Sequence, residues 1–470
     1  MGISELPIPD GLVLRPFRGV RFAVDDPAKV TSPPYDLISD GDVRTLLDSH
    51  PNNVVRLILP APPAPDADVR RSTGSAEPSA PQPVDATGKD ESPNRPQKFS
   101  LESSTSRYSE ARSTLHAWLE SGVLVPDEQP ALYVYEQRGQ GILQRGLIGD
   151  VGLADPTQRI ILPHEDVLPG PIADRLALMS TTRANLEPIF LLYDGDNGSA
   201  TRKVDEVAST RPPLVTAHTD DGLTHRLWAV TDEAEIEAIN DDLRQRQALI
   251  ADGHHRYATY RVLQRQEHVT HASAEPGKRS ASSPWDFGLA LLVDSTTYAP
   301  HLRAIHRVIP GLPLEEAVAR AKGSWRVHDH DDLEQGLAAL EATQEPAFLL
   351  AGEEGVHLLT NPDPVQLALA MPADRSDRWN SLNTSILTEF VMPKVWGLED
   401  DEQTVRIVHH DAQAAAQLAI SAGGTAVLLK PLAVDDVLAV AAGGERVPRK
   451  STSFGPKPRT GLVLRTFATD

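Results

Sequence analysis

The chain has 470 residues, with 66 Asp plus Glu against 45 Lys plus Arg and a formal charge of −21. That length exceeds what one hydrophobic core serves, so roughly two to three domains are expected, and so acidic a surface repels phosphate backbones and disfavours general nucleic-acid binding. Cysteine is absent, which excludes disulfides, thiolate zinc sites, cysteine-ligated iron–sulfur clusters and cysteine nucleophiles.

The first residues, MGISELPIPDGLVLRPF, lack the basic-then-apolar pattern of a secretory leader, and Leu6 breaks a myristoylation pattern at Gly2. SPPYD (32–36) is held extended by its prolines, and VVRLILP (54–60) has the β-branched, apolar character of a buried strand. Residues 61–98 are rich in Pro, Ser, Asp and Ala and hold no aromatic, Leu or Ile. Such a segment cannot offset its ordering entropy and reads as a disordered insertion. Tyr108, Ala111, Leu115, Trp118 and Leu119 recur at helical spacing. PALYVYEQ and ILQRGLIGDVGL read as paired strands, LEPIFLLYD (186–194) as another, and TRKVDEVAS and DEAEIEAINDDLRQR as helices. ALIADGHHRYATYRVLQRQ (248–266) is a strand, a turn at Asp252-Gly253 and an amphipathic helix. A polar loop is expected over 267–284, followed by a core strand, FGLALLVD. That run is also the longest apolar stretch, far short of a membrane span. From about residue 300, helix and strand patterns alternate as a second α/β unit. The expectation is a mixed α/β protein with a core over 1–300 and a C-terminal α/β domain over 301–470, cytoplasmic, without membrane or nucleic-acid partners.

The strand-turn-helix carries the chemistry. A glycine at a strand end lets backbone turn toward a ligand, and the following helix start offers unpaired N–H groups and the positive end of its dipole. Gly253 occupies the turn, and His254, His255 and Arg256 the first helical turn. Arg256 can fork onto phosphate oxygens; the imidazoles can donate to them or pass a proton. Asp252 can assist a metal or an incoming hydroxyl. The plain alternative is a capped helix with solvated His and Arg. Zinc is disfavoured, because His254 and His255 project about 100° apart.

A second constellation, ILPHEDVLPGPIADRLALMSTTRANLEPIF (161–190), offers Glu165 as a general base with His164 beside it. Arg175 and Arg183 can pair with a carboxylate or phosphate. A helix-capping loop with surface charges is the competing explanation. KSTSFGPKPRTG (450–461) supplies Lys450 and Lys457 as possible phosphate cations but lacks the Gly-Lys-Ser/Thr of a P-loop; a solvated basic loop explains it as readily. HRVI (306–309) reads as surface charge.

SPPYD, HPNNVVRLIL, ALYVYEQ, RGLIGDV, ILPHED…DRL, ANLEPIF, IADGHHRYAT, HRVI and KSTSFGPKPRTGLV occur in this order. Together they resemble a widespread bacterial family of unknown function. The DGHHRYATY element is also similar to the phosphate-binding signature of the ParB/sulfiredoxin superfamily and its free serine kinases. That resemblance implies a ParB/sulfiredoxin-like nucleotide-binding core and a small-molecule kinase. Glu165 would deprotonate the hydroxyl of an acceptor such as L-serine, with Asp252, Gly253, His254, His255 and Arg256 handling phosphate. The donor would be ATP, ADP or pyrophosphate with Mg²⁺; further metal ligands are unassigned. A nucleotide-binding regulator and a degenerate interaction protein remain alternatives. The chain departs from the family pattern at Ala304-Ile305-His306-Arg307, where Pro-Thr-His-Arg is common.

Overall fold

A computed structural model describes residues 6–60, 101–274, 282–344, 346–401 and 403–469. The proposed insertion at 61–98 lies outside them. The architecture is mixed α/β, built around two sheets, as composition and periodicity indicate.

The first sheet has nine strands: β1 (Leu14–Arg15), β2 (Leu132–Gly139), β3 (Ile142–Gly152), β4 (Ile161–Leu162), β5 (Ile189–Tyr193), β6 (Val215–His218), β7 (Thr224–Val230), β8 (Ala248–Asp252) and β9 (Phe287–Asp294). Their order is β4-β8-β5-β9-β3-β2-β7-β6, with β1 beside β3. The β2–β3 hairpin turns at Gly139 and Gly141, both at positive φ. β9 lies parallel to β5 but antiparallel to β3.

Both faces of this sheet are covered, which explains why β5 and β9 read as unbroken apolar runs rather than as alternating ones. Leu191, Ile250, Ala290 and Leu292 face one core, packed with Val204, Ile239, Tyr257 and Tyr260 from helices Ser199–Thr210, Glu233–Leu243 and His254–Ala274. Phe190, Leu249, Leu291 and Val293 face the other, against Val437, Val440, Val447, Phe454 and Val463 from the last part of the chain.

The second sheet has six strands: β10 (Ile305–Ile309), β11 (Arg326–His330), β12 (Phe348–Gly352), β13 (Gly355–Thr360), β14 (Arg406–His409) and β15 (Thr425–Leu428), in the order β11-β13-β12-β15-β10-β14. Helices Leu314–Ala321 and Leu333–Ala342 lie on opposite faces. The chain then returns to the first sheet. Ser453–Gly455 pairs with His301–Arg303, Arg465–Thr466 pairs with Ala184–Asn185, and Arg465 forms a fully buried ion pair with Asp150 at 2.7 Å.

Two local expectations are corrected. Val55–Ile58 is a short helix, not a strand. Its Val55, Leu57 and Ile58 pack on Tyr108, Leu115 and Trp118 of helix Leu101–Glu120, and three apolar residues bury equally well in either form. The helix from His254 runs to Ala274, through the first part of the expected polar loop. His268 is buried there with its Nε2 2.6 Å from Asp286, a partner that holds the added turns.

Phe454 is 1% exposed and sits in the core beneath the first sheet. Phe454→Ala is expected to cost about 3–5 kcal/mol, measured by denaturant unfolding.

Candidate functional site

β8 carries a register shift between Ile250 and Asp252, and Gly253 follows at φ +93°. A Cβ on Gly253 would lie 3.0 Å from Ile189 Cγ2 and 3.2 Å from Arg256 Nε. The position therefore needs glycine for both its dihedral and its space. The helix begins at His254, so its opening N–H groups emerge beside Asp252.

The two histidines of that first turn hold the His164–Leu168 loop. His254 Nε2 accepts from the His164 backbone N–H at 3.2 Å, and His255 Nε2 accepts from that of Leu168 at 3.0 Å. An acceptor nitrogen requires the neutral ring. Burial pushes His254 well below its ordinary pKa, and neighbouring positive charge adds to that. His164 is fully buried, edge-on to His254 with ring centroids 4.5 Å apart, and burial lowers it to about 3. These side chains are the joint between the two motifs: the His164 and His254 rings are buried and His255 is half-buried.

Arg256 is buried as well. Its Nη2 meets Asp252 Oδ2 at 2.5 Å and its Nη1 the Pro188 carbonyl at 2.5 Å. Arg175 donates to the Ile58 carbonyl at 2.8 Å and pairs with Asp174. Between Arg175 and Arg256 lies a hole of about 30 Å³, room for about one water. The expected forks of Arg256 and Arg175 are thus occupied by internal partners. Arg183 pairs with Glu267 on a different part of the surface.

The groups at the mouth are Glu165, Asp252, His255, Lys450 and Lys457, joined by two residues that local pattern does not reveal. Thr452 donates to Glu165 Oε1 at 3.1 Å, and its hydroxyl lies 2.7 Å from His164 Nε2. Asp36, from SPPYD, shares Lys457 with Asp252: the ammonium sits 2.6 Å from Asp36 Oδ2 and 2.5 Å from Asp252 Oδ1. Burial drives the Glu165 carboxyl upward; Lys450 and the Thr452 hydroxyl oppose this without cancelling it. Burial also acts to raise Asp36, but Lys457 and Arg256 outweigh it and hold it below the usual range. Lys450 makes no ion pair among the described residues and acts on both Glu165 and His255.

Arg307 is the other residue hidden from sequence reasoning. It is 1% exposed on β10, and its Nη2 donates to the carbonyls of Arg449 and Lys450 at 2.9 and 3.0 Å. Asp400 binds Arg449 at 3.1 Å and lies 3.8 Å from Arg307. The second sheet thereby fixes the turn that presents Lys450, at φ +53°, and Thr452 to Glu165.

Mg²⁺ is the expected companion of a phosphate donor. Asp36 and Asp252 are both committed to Lys457, and among the described residues no group of three or more His, Asp or Glu could hold a metal ion. The residues do not fit a metal caged by the protein alone.

A family model described as "Protein of unknown function (DUF1015)" matches residues 14–77 and 93–385. The chain belongs to this family. The match ends before Lys450, Thr452 and Lys457. No curated protein matches the chain. Among solved structures, similarity extends to SbnI with C-terminal truncation from Staphylococcus aureus, at 10% identity and TM-score 0.34, covering 68% of this chain and 88% of that one. A free serine kinase in complex with AMP is similar at 14% identity and TM-score 0.30, covering 67% and 92%. A conserved hypothetical protein from Pyrococcus furiosus is similar at 13% identity and TM-score 0.33, covering 68% and 94%. At such distances, what this family member does has to be read from its own site. No helix among the described residues is long and apolar enough to cross a membrane.

Two outcomes follow for this site. Arg307→Gln takes the guanidinium from the carbonyls of Arg449 and Lys450 and leaves Asp400 with Arg449 alone, and is expected to cost about 3 kcal/mol, read by chemical denaturation. His254 is neutral when folded and takes up a proton only on unfolding, so its contribution is present above the unfolded pKa of about 6.5 and is lost as pH falls below it. Relative to His254→Gln, the wild type is expected to lose about 1.4 kcal/mol per pH unit below that point, measured by unfolding at stepped pH.

Proposed function

We propose that this DUF1015 member is a phosphotransferase that phosphorylates the hydroxyl of a small metabolite, with free L-serine the first acceptor to test. The observation that carries this reading is the meeting of Glu165 with the Asp252-Gly253 helix start across a mouth that holds Lys450 and Lys457. An acid of raised pKa beside two cations and a helix N-terminus suits a base that takes a proton next to an anionic group.

In the proposed reaction the acceptor hydroxyl gives its proton to Glu165. Its oxygen forms the new bond to the terminal phosphorus of a nucleotide or pyrophosphate. The bond from that phosphorus to the donor's bridging oxygen breaks, and its electron pair leaves with the shortened donor. The Thr452 hydroxyl, hydrogen-bonded to Glu165 Oε1, orients the carboxylate. Lys450 is free to meet the transferred group, and Lys457 can do so by exchanging Asp36 for a phosphate oxygen. His255 and the helix-start N–H groups complete the anion's surroundings. Mg²⁺ bound to the donor would neutralise phosphate charge.

Arg256 enters this reading as a support: it neutralises Asp252 from behind and is not itself a phosphate ligand. Its internal pairing also favours a second reading, a nucleotide-binding regulator that transfers nothing.

The decisive assay combines purified protein, L-serine, Mg²⁺ and ATP, ADP or pyrophosphate, with O-phosphoserine as the readout. Glu165→Gln is expected to lower kcat by about 100-fold or more while donor binding is retained. Donor binding without product from any hydroxyl acceptor would support the regulator instead.

A further inference from the structure

Beside the mouth, and sharing Lys457 with it, lies a cleft of about 370 Å³. That volume falls within the range of small-molecule sites, whereas the hole behind Arg256 does not. Six chain segments build the cleft: Pro33, Pro34 and Leu37; the turns around Gln140 and around Asp221; Arg303; His410; and the stretch from Ser453 to Arg459.

Its chemistry differs from the rest of the surface. In a chain of net charge −21, the cleft carries Arg303, Lys457 and Arg459 against one carboxylate, Asp221. Most of its polar groups are already paired. Arg459 Nε donates to Thr31 Oγ1 at 2.7 Å, Asp221 accepts from the Leu223 N–H at 3.1 Å, and Gln137 Nε2 donates to the Pro456 carbonyl at 3.3 Å. His225 bonds Tyr135 and Thr219, so it adds no free donor. Arg303 differs: its strand pairs through backbone with Ser453–Gly455, and its guanidinium has no partner among the described residues. The remaining wall is apolar, from Pro33, Leu37, Ile142 and Phe454.

An uncommitted guanidinium, a second cation and apolar side chains lining one cleft define a ligand. We infer that this cleft binds an organic oxyanion: a phosphate or carboxylate on a flat or apolar body, its charge toward Arg303 and Lys457 and its body against Leu37 and Ile142. The guanidinium can take either oxyanion in a bidentate fork. A charge placed here competes with Asp36 for Lys457, so occupancy would be felt at Asp252 and the mouth. Phosphoryl transfer is not required for this inference, which concerns binding alone.

Calorimetric titration of the full chain tests it with four probes: AMP, adenosine, inorganic phosphate and 2-naphthoate. AMP or 2-naphthoate is expected to bind at least about tenfold more tightly than adenosine and phosphate, which carry only the body or only the charge. Which of the two binds distinguishes phosphate from carboxylate. Arg303→Glu, which reverses the uncommitted charge, and Leu37→Trp, which fills the space from an exposed position, are each expected to weaken that binding about tenfold or more with unchanged thermal unfolding. The inference is overturned if neither probe binds, or if binding is equal in both variants, whatever the serine assay gives.

Discussion

The centre of this protein depends on one ammonium group. Lys457 lies between Asp36 and Asp252, and Glu165 is near enough to feel Lys457 and Asp252. Three carboxylates in a half-buried space repel one another strongly unless cations are set among them. Lys457 supplies charge from the front and Arg256 from behind. The same contacts draw residues near the start of the chain, the β8 turn and the C-terminal tail into one place. Charge compensation and assembly of the site are therefore a single event.

How much of this was legible depended on whether the signal was local. The segment from Ala248 to Gln266 was readable because a strand, a glycine and a helical repeat follow one another within a few residues, whereas the helix's last turns, to Ala274, looked like polar loop. β5 and β9 were readable as core strands from apolar runs alone. Val55–Ile58 was not, since three buried apolar residues carry no usable period. At the mouth, the PHED and DGHH elements could be named separately. What joins them, backbone N–H groups on His254 and His255, spans about ninety positions and leaves no local pattern. Asp36 and Thr452 went unseen for the same reason. Arg307 looked like surface charge because nothing in HRVI announces the carbonyls of Arg449 and Lys450 that it serves.

Arginine in a phosphate-binding motif invites the reading that it touches phosphate. Here Arg256 and Arg175 are both taken up by carbonyls and carboxylates of the fold. A buried guanidinium needs such partners, and replacing them with a transient ligand would leave a desolvated charge whenever the ligand departed. Lysines at the edge of solvent can exchange partners at lower cost. The division is between cations that build the frame and cations that can serve an anion.

The return of the tail to the first sheet also bears on biosynthesis. Residues 447–467 follow, in order of translation, nearly everything they touch. Both sheets can pair their strands while these residues are still unmade, but Glu165 and Asp252 then face each other without Lys450, Thr452 or Lys457. A nascent chain on the ribosome consequently lacks these cations, and a message broken late in the reading frame yields a chain that also lacks Phe454 and Val463 from one core and Arg465 beside Asp150.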